Sequence, residues 1–284
     1  MRKRLFRPKW IVPIAVAVVA LFAPTAALAG TLTLHPAGFG PQSYASWKAN
    51  QGLPDSNPLT NQALYFQKDT PTSTNAAGVV LIHGLAGTKV SDLTGLSWDR
   101  RTDGHCGGGA PRWDIFVTGS SGTRYTLFLG CDAAAHTPVT ATDPGNHTWC
   151  MDSFAGNNNI LDVGTVSAGL TGSFSDIQAG TIRDLAIVFD VGNDSPPTPT
   201  QPPCAGEGLP GFVYLDNVTV AANGVTQTWT SAADNGTTAA RSFGTTAAYA
   251  DDLLLSPDQI LAELTDLFPG VALTDWILYP NVMP

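Results

Sequence analysis

The residues of this sequence best suited to hold a ligand fall in two short polar sets, each with an Asp–Arg pair. Ser97, Asp99 and Arg101 occupy every second position of segment 96–101, and Arg112 and Asp114 do the same just downstream. Side chains two apart in an extended chain share a face. Each pair therefore sets a carboxylate beside a guanidinium, which suits bidentate hydrogen bonding to hydroxyls or carboxylates. If the two strands are neighbours, Asp99, Arg101, Arg112 and Asp114 make one polar strip, and these four are the candidate ligand-binding residues. Trp98 and Trp113 point away from Asp99 and Asp114 and are expected in the core. Trp47, Trp149 and Trp229 are the alternatives for a flat surface on which a sugar would stack. The competing reading of the strip is ordinary surface ion pairing, which adds little stability.

A catalytic set is harder to assemble. Glycoside hydrolysis calls for two carboxyl groups flanking the bond, and the glutamates Glu207 and Glu263 sit far apart, in a proline-rich stretch and a late helical segment. The histidines His35, His83, His105, His136 and His147 are scattered singly, and only His136 and His147 are placed to converge. Segment 78–87, GVVLIHGLAG, resembles the oxyanion loop of α/β-hydrolases, which implies backbone N–H groups waiting beyond a strand end. That fold also needs a G-x-S-x-G elbow, and GTVSAG at 164–169 is one residue too long. No catalytic residue is assigned.

The elements that position these residues are short strands. Trp113, Ile115 and Val117 alternate with Asp114, Phe116 and Thr118; Tyr125, Leu127 and Leu129 alternate with Thr126 and Phe128. Gly119-Ser120-Ser121-Gly122 between them reads as a hairpin turn. The triple glycine 107–109 reads as a loop, or as a close backbone approach to a ligand; it lacks the Lys-Ser/Thr pair of a P-loop. Further strands are expected at 31–34, 44–47, 63–68, 79–83, 96–101, 185–190 and 211–220, with turns over most of 136–149. Many short strands with turn signals between them imply an all-β sandwich. Late in the chain, Ser256-Pro257-Asp258-Gln259 starts a helix. Its stripe of Ile260, Leu261, Leu264, Leu267 and Phe268 is expected to pack on the sandwich, or else to dock a partner protein.

Residues 1–29 carry an export signal: five basic residues, an apolar run over 10–22, and Ala27-Leu28-Ala29 as a cleavage site. Its removal leaves 9 basic residues against 23 acidic ones, a net charge of −14. So acidic a chain disfavours nucleic acid and anionic membrane as partners, and no second segment is suited to span a membrane. The four cysteines, in an exported chain, imply two disulfides. Cys106 and Cys131 flank the hairpin symmetrically, and a bridge there contributes about 3 kcal/mol through loop closure. That leaves Cys150 for Cys204. The expected layout is a signal peptide at 1–29, a sandwich at 30–230, and a linker with a helix and short strand at 231–284.

The run of ALYFQK, LAIVFDVG, a loop, and GFVYLDNVTV resembles the jelly-roll carbohydrate-binding modules and galactose-binding-like domains. The resemblance implies an all-β jelly-roll sandwich, to which the late helix adds a small C-terminal helical appendage, and it implies a structural calcium near Asp216. Taken from the residues alone, Asp216 shares a face with Phe212 and Tyr214, and a carboxylate on such a face needs a partner. A calcium ion would serve; a strand-end Asp–Asn cap is the equal alternative. The first reading is thus a secreted, extracellular, non-catalytic binding module for a glycan, stabilised by calcium. The second is a surface-assembly protein without a small ligand, and a secreted hydrolase comes third.

Overall fold

The computed structural model describes residues 32–55, 61–107, 109–154, 165–166, 174–198, 202–204, 206–234, 257–272 and 275–278. The expected export signal and most of the expected linker lie outside them. In chain order the first strands are β1 (Thr33–Phe39), β2 (Ser43–Lys48), β3 (Ala63–Lys68), β4 (Ala77–His83) and β5 (Leu93–Arg101). Next come β6 (Arg112–Thr118), β7 (Arg124–Gly130), β8 (Ala135–Val139), β9 (Trp149–Ser153) and β10 (Thr165–Val166). A short helix α1 (Phe174–Gln178) precedes β11 (Thr181–Phe189), β12 (Phe212–Ala222) and β13 (Val225–Trp229). Helix α2 (Pro257–Leu267) and β14 (Trp276–Leu278) complete the described chain.

The strands form an all-β sandwich of jelly-roll type. Sheet A has the order β10-β7-β6-β11-β4-β1-β14, and sheet B the order β2-β3-β12-β5-β9-β8 with β13 also on β12. The pairings within both sheets are antiparallel. Segment 78–83, with its likeness to an oxyanion loop, is a central strand of sheet A, flanked by β1 and β11. Strand β8 falls where turns were expected, and β9 begins at Trp149, where that stretch ends. Four of the five β8 residues are polar, proline or alanine (AHTPV), so this edge strand carries no apolar alternation to read.

Alternation accounts for the core. Trp98 of β5 and Trp113 of β6 meet between the sheets, ring centroids 5.1 Å apart and nearly parallel. Arg100 is turned inward on the same strand as Trp98 and is almost wholly buried. Its Nε donates to Asp152 Oδ2 at 2.8 Å, and the same oxygen accepts Trp98 Nε1 at 3.0 Å. A charge so placed is tolerable only when paired. The bridges Cys106–Cys131 and Cys150–Cys204 both form. The first closes the base of the β6–β7 hairpin, whose seven paired positions run from Arg112–Gly130 to Thr118–Arg124.

Sheet A is apolar on its outer face as well. Ala37, Phe39, Val79, Leu81, Phe116, Ala186 and Val188 point away from the core yet are buried. The stripe of α2 is what covers them, with Leu264 fully buried, Leu267 nearly so, and Leu261 and Phe268 packed at its margin. Strand β14 then extends the sheet beside β1.

Candidate functional site

Two outer faces result, and the predicted polar residues are divided between them. β5 belongs to sheet B and β6 to sheet A. Because Trp98 and Trp113 both point inward, Asp99 and Arg101 emerge on one side of the sandwich and Arg112 and Asp114 on the other. The single strip expected from sequence does not form. The alternation was read correctly; which sheet each strand joins depends on pairings with β12 and β11, far away in the chain.

On sheet B, Arg101 is engaged rather than free. Its Nε donates to Asp103 Oδ1 at 2.7 Å and Nη1 to Gln51 Oε1 at 3.0 Å, while the guanidinium lies 3.7 Å from the centre of the Tyr214 ring. Asp99 accepts the Asn217 side-chain amide at 2.7 Å. Burial is the largest influence on its carboxyl and raises its pKa, against the pull of that hydrogen bond. Asn217 sits at positive φ where the β12–β5 register shifts after Asp216, a bulge that re-aims its side chain toward Asp99.

Asp216, opposite Asp99 on β12, is buried beneath the 51–55 loop. Its Oδ2 accepts the backbone N–H of Leu53 at 2.7 Å and its Oδ1 that of Asn217 at 2.6 Å. Desolvation pushes its pKa up to about 8 despite these bonds. N–H donors on both oxygens suit an anchor for the loop better than a cation shell. Among the described residues, the clusters of three His, Cys or Asp that could hold an ion all centre on Asp152, and their cysteines are spent in disulfides. The partners of Asp216 thus favour a backbone cap over a calcium ion at this position.

The surface that Arg101 supports is aromatic. Tyr44 of β2, Tyr65 of β3 and Phe212 and Tyr214 of β12 are half-buried on the outer face. Tyr65 and Tyr214, directly opposite in register, have ring centres 4.6 Å apart, and Tyr44 lies 5.9 Å from Tyr65. Phe212 closes the group at 6.1 Å from Tyr214. Polar groups border it: Gln67 accepts the Tyr65 hydroxyl at 3.1 Å, and the Lys48 ammonium lies 5.4 Å from the Tyr44 ring centre. Burial is the main cause that raises all three tyrosine pKa values, so the phenols stay neutral donors at neutral pH. Such a row presents ring faces and hydroxyl edges together.

The tryptophans proposed for stacking are elsewhere. Trp47, Trp149 and Trp229 are all buried, so none offers a face to a ligand. They are large apolar side chains in a chain that must fill a two-sheet core, and burial claimed them first. The tyrosines were legible in principle, because Tyr65 and Tyr214 stand at the outward positions of their strands. His136 and His147 do not share a site: Nδ1 of the first lies 2.7 Å from Asp152 and that of the second 2.8 Å from Asp143.

On sheet A, Arg112 Nε donates to Asp114 Oδ1 at 2.8 Å and Nη1 to Asp190 Oδ1 at 2.8 Å. Burial dominates the Asp114 carboxyl and pushes its pKa up to about 7, opposed by Arg112.

No protein-family model matches the sequence, and no curated protein matches it significantly. Among solved structures, the family 11 carbohydrate-binding module of the cellulosomal cellulase Lic26A-Cel5E of Clostridium thermocellum is similar, with 12% identity and a TM-score of 0.36 over 69% of this chain and 91% of that one.

Proposed function

We propose that this protein is an extracellular, non-catalytic carbohydrate-binding module that takes a glycan chain across the aromatic row of sheet B. The observation that carries this reading is the contiguity of Tyr44, Tyr65, Tyr214 and Phe212 over three adjacent strands, with hydroxyl, amide and ammonium groups at the margin. Apolar sugar faces stack on such rings while ring hydroxyls meet the polar border. The export signal in the sequence and the two disulfides support a location outside the cell.

A panel of soluble polysaccharides in affinity electrophoresis tests it, using the full chain and the variants Tyr65→Ala and Tyr214→Ala. Retardation by at least one glycan, strongly reduced in both variants, is expected. Absence of retardation across the panel, or retardation indifferent to both substitutions, removes the proposal.

A further inference from the structure

Helix α2 does not cover all of the outer face of sheet A. Beside its C-terminal end, a cleft of about 840 Å3 remains between residues 267–271, strands β6 and β7, and the loop 72–77. That is within the size range of small-molecule sites. Phe39, Phe116, Phe128 and Phe268 wall it on the apolar side, and Arg112, Asp114 and Asp190 line its polar end.

The cleft is held in shape. Lys68, almost wholly buried, donates to the carbonyls of Thr72, Thr74 and Asp190 at 3.0, 2.8 and 2.9 Å. It thereby pins the loop wall to the end of β11. Arg112 fixes the polar end through Asp114, Asp190 and the carbonyl of Gly109, the last at 2.6 Å. These bonds use Nε and Nη1 of Arg112 and Oδ1 of both aspartates. Nη2 and the two Oδ2 atoms take no part in them, so donor and acceptor capacity is left at one spot.

We propose that this cleft is a second binding site, distinct from the aromatic row, for a neutral and mostly apolar ring compound bearing a hydroxyl. The phenylalanines enclose the ring system, and Arg112 with Asp114 and Asp190 receives the hydroxyl. Charge argues for neutrality: an anion meets two aspartates, and a cation meets Arg112 and Lys68. Ring geometry argues against a second sugar shelf. Phe116 and Phe268 meet edge to face at 5.5 Å and 80°, and Trp276 closes on Phe39 and Phe268 at 5.0 and 5.5 Å. Rings so crossed form a corner rather than a flat platform, and corners suit a compact apolar body. The carboxyl of Asp114, poised near neutrality by its burial, can accept from a hydroxyl or donate to it.

The test is calorimetric titration of the full chain with 2-naphthol, with 2-naphthoate and 2-methylnaphthalene as the charged and hydroxyl-free counterparts. Saturable binding of 2-naphthol is expected, with each counterpart weaker by about tenfold or more. Two variants locate the site. Thr126 lies opposite Phe116 in the hairpin, and Thr126→Trp fills the cleft from β7. Gly270 lines the other wall, and a side-chain carbon added there meets no atom within 4 Å, so Gly270→Leu adds bulk at that wall without a clash at its first carbon. Loss of 2-naphthol binding in both, with unchanged melting temperature and unchanged glycan retardation, supports the site. Failure of 2-naphthol to bind the wild type overturns it. So does equal binding of 2-naphthoate, or binding that survives both substitutions.

Discussion

The outer faces of the two sheets, built from the same alternating strands, have opposite characters. Sheet A turns Val79, Leu81, Ala186 and Val188 outward and is covered by α2. Sheet B turns tyrosines outward and leaves them half-exposed. Aliphatic side chains gain by complete removal from water, so the first face needs a lid. Tyrosine has a hydroxyl that prefers water and a ring that tolerates partial exposure, so the second face can remain half-exposed. The difference also explains where the charged pairs went. On sheet B Arg101 backs a half-buried ring; on sheet A Arg112 and Asp114 sit at the edge of what the helix covers.

That contrast can be broken most directly at the lid. Leu264→Asp places a charge against the outer face of sheet A and is expected to destabilise the protein by about 5 kcal/mol or more, as measured by urea denaturation. A stability change comparable to that of an exposed position would show that the helix is dispensable and the two faces are not so different.

A smaller effect is expected from pH. Asp114 has a folded pKa of about 7, above the ordinary 3.8. Well below pH 3.8 the group is protonated in folded and unfolded chains alike. As pH rises from 4 to 7 the unfolded chain loses the proton first, so this group lowers stability over that window and its effect levels off above pH 7. Arg112 and Asp190 are the charged groups beside it. Asp114→Asn is expected to flatten the slope, with up to about 4 kcal/mol recovered at pH 8 relative to pH 4. Denaturant midpoints at the two pH values for both proteins check this, and an unchanged slope refutes it.

On sheet B the expected costs fall on binding rather than folding. Tyr65→Ala should weaken glycan affinity about tenfold, or roughly 1.4 kcal/mol, with a modest stability loss, as read by affinity electrophoresis beside thermal melting. Arg101→Lys is expected to have the smallest effect, a reduction of a few fold in affinity. A lysine keeps the charge but loses the planar contact with Tyr214 and the forked bonds to Asp103 and Gln51. An effect on affinity as large as that of Tyr65→Ala would make Arg101 itself a ligand contact.

Much of this architecture is legible in the residue order. The β6–β7 hairpin, the inward Trp98 and Trp113, the Cys106–Cys131 bridge and the amphipathic α2 all arise from local spacing, because each depends on residues close in sequence. The edge strand β8 was not readable, since its polar residues have no face that must be buried. The aromatic row was missed for a related reason. Tryptophan offers the largest ring for stacking, but in a two-sheet core the largest rings are the first to be buried. Asp216 was placed correctly on the face of Phe212 and Tyr214, but its partners proved to be backbone N–H groups of Leu53 and Asn217. The first of these comes from a loop 163 residues away in the chain.

By itself the order of residues determined that strands would alternate apolar with polar, that two disulfides would close, and that a late helix would carry an apolar stripe. Period and spacing are local properties, and local chemistry is enough to set them. Only the tertiary structure decided which sheet each strand joined, and therefore that Asp99 and Arg101 would face away from Arg112 and Asp114. Register between distant strands is settled by how the whole set of apolar faces is best buried together, and no short stretch of the chain contains that information.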